Sequence, residues 1–195
     1  MINTSYKVNC DTLETESNKT IENGTLHVYD NRLKVHLNNE IKEVGLAETN
    51  AWGRYDDTQY TSASSFAFTT AEFTLPNNAG NVVSNTDFPF YNGTKLLSEN
   101  TNDVYIITIA FKAKINNANG HFELYLQGGN GTPYDRVKDI VIFPKGNNVE
   151  HSYAKTFQFY ADEDVITNGL SIKATASDNG EIYDVIYFIQ RTNKG

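Results

Sequence analysis

Between residues 25 and 44 the chain alternates apolar and polar positions in step. Leu26 and Val28 share one face of a first strand, and Leu33, Val35 and Leu37 share one face of a second. A two-residue turn at Asp30-Asn31 sets Val28 opposite Leu33 and Leu26 opposite Val35, so the apolar faces meet without a slip in register. Asn38-Asn39-Glu40 supplies a second turn into "IKEV". The result is a three-stranded meander spanning residues 25–48. Such a unit is marginal alone, so its apolar residues Leu26, Val28, Leu33, Val35 and Leu37 are predicted to anchor it against another chain or the following domain. Residues 1–24 are polar with little period and read as a flexible arm that orders only against a partner.

After a linker at residues 45–51 the pattern changes to short strands separated by Asn- and Gly-rich turns. That is the signature of an antiparallel β-sandwich, jelly-roll-like, over residues 49–195. Candidate strands are "SSFAFTTAEFTL", "DVYIITIAFKAKI", "HFELYLQG", "VKDIVIFP", "HSYAKTFQFYA", "GLSIKATAS" and "EIYDVIYFIQR". In the second, Ile107, Ile109, Phe111 and Ala113 fall on one face. In the third, Phe122, Leu124 and Leu126 oppose Glu123 and Tyr125. In the last, Tyr183, Val185, Tyr187 and Ile189 alternate with Ile182, Ile186 and Phe188, so both faces are apolar. A strand of that kind belongs in a sheet centre or at a subunit interface. No segment sustains a helical period, and the fold class reads as all-β.

Composition sharpens this picture. Aromatics make up 12% of the chain, with 12 Tyr and 11 Phe, which suits pleated surfaces better than helices. A net charge of -8 without any basic run argues against a nucleic-acid partner, which needs clustered cations to displace phosphate counterions. The single cysteine, Cys10, cannot close an intrachain disulfide. No basic-then-apolar leader is visible, so synthesis in a bacterial cytoplasm without a signal peptide is expected. The run "VYIITIAFKAKI" is too short and too charged to insert in a membrane.

Candidate chemistry is sparse. There is no Gly-x-Ser-x-Gly elbow, and His27, His36, His121 and His151 show no ligand spacing, so neither cofactor nor metal is expected. A glycosidase needs only two opposed carboxylates; Glu123, Asp135, Asp139, Glu150, Asp162, Glu163 and Asp164 are the candidates. The run Asp162-Glu163-Asp164 reads as a solvated loop or, failing that, a weak calcium site. "QGGNGTPYD" lacks the residues of a phosphate loop and reads as a long hairpin turn. Tyr91, Tyr125, Tyr134, Tyr153 and Tyr160 could stack on sugars, or serve as core and contact residues.

The strings "WGRYDDTQYTSASSFAF", "TLPNNAG", "LLSENTNDVYIITIAFKAKINNANGHFELYL", "IVIFPKG" and "IYDVIYFIQR" carry a resemblance. Together they resemble structural proteins of tailed-bacteriophage virions: head-fibre, capsid-decoration or short tail-fibre components. The most specific parts are Trp-Gly-x-Tyr-x-Asp-Thr-Gln-Tyr-Thr, beginning at Trp52, and Glu-Asn-x-x-Asp-x-Tyr, from Glu99 to Tyr105. The resemblance implies a homotrimeric head similar in outline to tumour-necrosis-factor and C1q heads, with no catalytic residues. It also implies a location in the virion and other capsid or tail proteins as partners, with a host-surface glycan as a candidate ligand. On this reading Trp52 and Tyr55 anchor the start of the head. Val185, Ile186, Tyr187 and Phe188 form a sheet centre or oligomer interface. A receptor-binding tail tip is the alternative, and a polysaccharide depolymerase a third reading.

Overall fold

The computed structural model describes residues 51–117, 119–144 and 148–193, together with the backbone of three strands that precede them. The chain divides into two compact units, residues 1–48 and 49–195. In the first unit, β1 (Leu26–Tyr29), β2 (Arg32–Leu37) and β3 (Glu40–Glu43) form an antiparallel meander in that order. Leu26 pairs with Val35 and Val28 with Leu33, and Leu37 pairs with Glu40. Glu40 therefore opens the third strand rather than closing the turn. The arm predicted over residues 1–24 lies outside the described residues.

The second unit begins with β4 (Trp52–Asp56), followed by β5 (Phe66–Phe68), β6 (Phe73–Thr74) and β7 (Asn81–Ser84). The long strands come next: β8 (Val104–Ile115), β9 (His121–Gly128), β10 (Tyr134–Ile142) and β11 (His151–Tyr160). One helical turn, α1 (Glu163–Asn168), leads to β12 (Ser171–Ala176) and β13 (Gly180–Asn193). One sheet has the order β10-β9-β12-β6 and the other β11-β8-β13-β4-β7, with β5 pairing to β13 beside them. All these pairings are antiparallel. The two sheets form a jelly-roll-like sandwich around one apolar core.

Alternation decides which residues enter that core. Ile107, Ile109, Phe111 and Ala113 of β8 are buried, as are Phe122, Leu124 and Leu126 of β9. Each such large apolar side chain contributes roughly 1.5–3 kcal/mol by leaving water. Aromatic edges lock the layers: Phe122 meets Phe68 and Phe143 edge-on at centroid distances of 4.7 and 5.0 Å.

Several local features differ from the sequence reading. "SSFAFTTAEFTL" is two short strands, and they pair into different sheets: β5 with β13 and β6 with β12. The Thr69–Glu72 segment carries the chain from one layer to the other. Residues 162–164 start a helix instead of lying in a loop. The Asp162 carboxylate accepts from the Val165 N–H at 3.0 Å, which caps the free amide end of α1. At six residues the helix is too short to leave a 3.6-residue period in the sequence.

The largest difference lies in β13. Tyr183 opposes Lys112 and Ile186 opposes Ala110, so Asp184 and Val185 together face a single residue of β8. This β-bulge, with Asp184 at φ 52°, resets the alternation. Ile182, which strict alternation groups with Ile186 and Phe188, is buried in the core together with Val185, Tyr187 and Ile189. Tyr183, which strict alternation groups with Val185, Tyr187 and Ile189, is buried but lies outside that core cluster, opposite Lys112.

Candidate functional site

The string from Trp52 to Thr61 combines a tryptophan, two tyrosines, an arginine and two adjacent aspartates, and the structure uses it to hold the β13 bulge. Trp52–Asp56 is itself an interior strand, paired on one side with β13 and on the other with β7. Beyond it, the Asp57 N–H donates to Val185 O at 2.9 Å, and the Asp184 N–H donates to Tyr60 O at 3.1 Å. Buried Asn77 donates through Nδ2 to Tyr55 O at 3.0 Å and to Val185 O at 3.2 Å. The Asp57 carboxylate accepts from the N–H groups of Tyr60 at 2.8 Å and Asn78 at 3.0 Å. The bulge's backbone polar groups are thus satisfied by the loop. Arg54 pairs with Asp56 at 2.7 Å. Asp56 ends the strand, and Asp57 turns the chain.

The second string, Glu99 to Tyr105, builds a buried polar knot. Asp103 is fully buried and accepts from the Tyr105 hydroxyl at 2.8 Å and the Asn100 N–H at 3.1 Å. Arg191 reaches Glu99 and lies 3.6 Å from Asp103, tying the end of β13 to this loop. Burial raises the Tyr105 hydroxyl's pKa far above its ordinary value, which keeps it a donor. Both strings therefore hold the fold together.

The six residues expected at an interface or sheet core separate into two sets. Tyr55, Val185 and Tyr187 are buried in the sandwich. Burial pushes the Tyr187 hydroxyl well up, with Tyr91 and Asp57 adding to the shift, and that hydroxyl donates to Leu75 O at 3.1 Å. Trp52, Ile186 and Phe188 lie on the outer face of the sheet, where the Trp52 and Phe188 rings stack at 5.7 Å. In the meander Leu26 and Val35, and Val28 and Leu33, are register partners, while Leu37 pairs with Glu40.

Register defines that outer face. Ala154, Ala110 and Ile186 form one row across β11, β8 and β13; Thr156, Thr108 and Phe188 form the next. Gln158, Ile106, Gln190 and Trp52 form the third. None of these ten positions carries a charge. Thr108 and Thr156 share a hydroxyl hydrogen bond of 2.9 Å, and Phe188 is 38% exposed. Charges border these rows: on β4, Arg54 opposite Phe188 pairs with Asp56 opposite Ile186, and along β8 and β13 Lys112 pairs with Asp184 at 3.0 Å and Lys114 with Glu181 at 4.0 Å.

The acidic residues singled out as possible catalysts are mostly tied to donors. Glu123 binds Lys138 at 3.1 Å, Asp139 binds Lys155 at 2.7 Å, and Asp162 binds Arg136. Hydrogen bonds from those cations hold all three carboxyls below the usual carboxylate range, as the Tyr134 hydroxyl does for Asp164. A general acid needs the opposite shift. Among the described residues no group of three or more His, Cys, Asp or Glu could hold a metal ion.

Of the five tyrosines considered for stacking, Tyr91 and Tyr125 are buried, and Tyr153 packs on Phe143 at 5.0 Å. Tyr134 and Tyr160 are exposed. Arg136 lies between them, two positions along β10 from Tyr134; the Tyr-x-Arg spacing was the one sequence signal that could have linked the two.

No family model matches the chain, and no curated protein matches it. Solved structures similar to it include the Eiger TNF of S. frugiperda, 5% identical with a TM-score of 0.42, covering 75% of this chain and 94% of that one. The PRD1 vertex protein is 14% identical with a TM-score of 0.46, covering 93% and 91%. The cowpea mosaic virus top component is 11% identical with a TM-score of 0.32, covering 75% and 91%.

Proposed function

We propose that this chain is a non-enzymatic structural component of a phage virion, a head-fibre or capsid-decoration protein whose residues 1–48 dock it to the particle. The sandwich would then be displayed as a self-associated head, a trimer on the sequence resemblance. The observation that carries the self-association is the patch of three uncharged rows across β11, β8 and β13, ending at Trp52, on the outer face of that sheet. The whole chain carries a net charge of -8, so copies repel one another unless the contacting surface is free of charge. A neutral, partly aromatic face framed by charge pairs suits a second copy better than a basic or acidic partner. The docking role of the first unit is supported by the sequence pattern, a small one-faced meander that needs a covering surface.

The experiment removes residues 1–48. The truncated head should stay folded and self-associated in light scattering, and should no longer co-sediment with particles that bind the full chain. Decoration by the truncated head would refute the docking assignment. Quantitative mass spectrometry of purified particles gives the location: tens to hundreds of copies support the capsid, and a few to a few dozen support a tail tip. Absence from particles would refute the virion reading.

A further inference from the structure

Beside β10, at the open edge of the sandwich, is a cavity of about 530 Å³ lined by Tyr134, Arg136, Val137, Gln158, Phe159, Tyr160 and Asp162. We propose that it is a binding site for a neutral saccharide, with a pyranose ring held against the exposed tyrosine faces. This gives a ligand class to the displayed head proposed above and rests on that reading only for its biological setting.

A second β-bulge creates the site. Asp135 pairs with Gln127 and Val137 with Leu126, which leaves Arg136 as the extra residue of β10. A bulge in an edge strand re-aims a side chain that would otherwise follow the pleat. The Arg136 guanidinium lies 5.3 Å from the Tyr134 ring centroid and 5.6 Å from that of Tyr160. It donates to the Tyr134 hydroxyl at 2.8 Å, to Tyr160 O at 3.4 Å, and to the Asp162 carboxylate. Its Nε is buried and has no partner. A buried guanidinium N–H without an acceptor is costly unless something fills the position.

The surrounding groups are held in place. Asp162 is fixed as the cap of α1, and Asp164 accepts from the Tyr134 hydroxyl at 2.6 Å, the Gly129 N–H at 3.1 Å and Asn168 Nδ2 at 2.6 Å. A rigid site loses little side-chain freedom on binding. The volume falls within the roughly 300–1,000 Å³ typical of small-molecule sites. Tyr160 is 58% exposed and Tyr134 41%, the two exposed tyrosines among the described residues. Aromatic faces attract the polarised C–H bonds on the apolar side of a pyranose. Gln158 and the Asp162 carboxylate offer donors and acceptors to hydroxyl groups, and the Arg136 Nε–H supplies one more donor.

Charge sets the class of sugar. The single cation, Arg136, is matched by Asp162, and Asp164 lies one residue pair further along the same network, so the site has no positive excess. An acidic saccharide would meet a net repulsion there.

Saturation-transfer NMR on the full chain tests this, using the methyl pyranosides of glucose, galactose, mannose and N-acetylglucosamine, with N-acetylneuraminic acid as the acidic comparator. At least one neutral pyranoside should bind with a millimolar dissociation constant and more tightly than the acidic sugar. Tyr160→Ala should weaken that binding at least tenfold without changing the melting temperature, because the ring is exposed; Trp52→Ala should leave it unchanged. Loss of neutral binding in Tyr160→Ala alone supports the site. Absence of neutral binding by the unaltered chain, equal binding by Tyr160→Ala, or preference for the acidic sugar each overturns the proposal. A sugar-blind protein found in particles would sink only this inference, and a sugar-binding protein absent from particles only the virion reading.

Discussion

The outer faces of the two sheets solve the same geometric problem with opposite chemistry. On the β10-β9-β12-β6 sheet, Lys138 bridges Glu123 at 3.1 Å and Asp135 at 3.8 Å, and Lys173 approaches Glu72 at 3.6 Å. Tyr125 sits among these charges, 5.0 Å below the Lys138 ammonium, with its hydroxyl donating to Glu72 at 2.7 Å. The β11-β8-β13-β4-β7 sheet instead presents Trp52, Ile106, Ile186 and Phe188 among alanines, threonines and glutamines. Alternation alone requires only that the outward positions be tolerable in water. Lysine and glutamate satisfy that on one sheet; tryptophan and phenylalanine on the other are chosen against it. The contrast supports the proposal that the uncharged rows of this sheet meet another surface.

Substitutions along β13 break this comparison most sharply, because the strand shows both a core side and a neutral outer side. Val185→Asp places a charge in the sandwich with no cation to meet it and should cost on the order of 4 kcal/mol, enough to unfold a marginal domain. Circular dichroism would show the loss of the cooperative melt. One position on, Ile186→Arg faces outward. It should leave the melt of the single chain nearly intact and abolish self-association in light scattering. A mutant still associated as before would end the interface assignment.

The charged sheet yields the smallest effect, visible only in acid. Glu123, Asp139 and Asp162 have depressed pKa values when folded, owing to Lys138, Lys155 and Arg136 respectively. Their contribution is fully present above the unfolded-state values of about 3.9 to 4.3 and fades as pH falls from there through the folded-state values. Melting temperature should therefore hold steady from neutrality to about pH 5 and decline below it. In Arg136→Met the decline should shrink slightly; an identical pH profile would remove Asp162 from the account.

How legible this was in the sequence depends on what each feature answers to. The faces of β8 and β9 could be read from Ile107, Ile109, Phe111, Phe122, Leu124 and Leu126, because burial there follows the two-residue pleat without interruption. The meander register could be read from Leu26, Val28, Leu33 and Val35, because their alternation runs unbroken through the two-residue turn. The phase of β13 could not, since the bulge at Asp184 is stabilised by Asp57, Tyr60 and Asn77, more than a hundred positions away. β4 was hidden because Trp52-Gly53-Arg54-Tyr55-Asp56 has just one fully inward large side chain, Tyr55, and resembles a loop in composition. The Arg136 cavity was hidden for a related reason: its tyrosines were visible, but what joins them is an unpaired residue in an edge strand and the cap of a helix too short to announce itself.

The interior position of β4 has a mechanical consequence. The sandwich's first strand is hydrogen-bonded on both sides, to β13 and to β7, and the Arg191 N–H clasps Ala51 O at 2.8 Å just before it. A pull on the preceding chain along the strand axis loads two ladders in shear, so many hydrogen bonds must yield together. An edge strand pulled outward would peel open one bond at a time. Force entering through the preceding chain would therefore meet the sandwich at a strand braced on both sides.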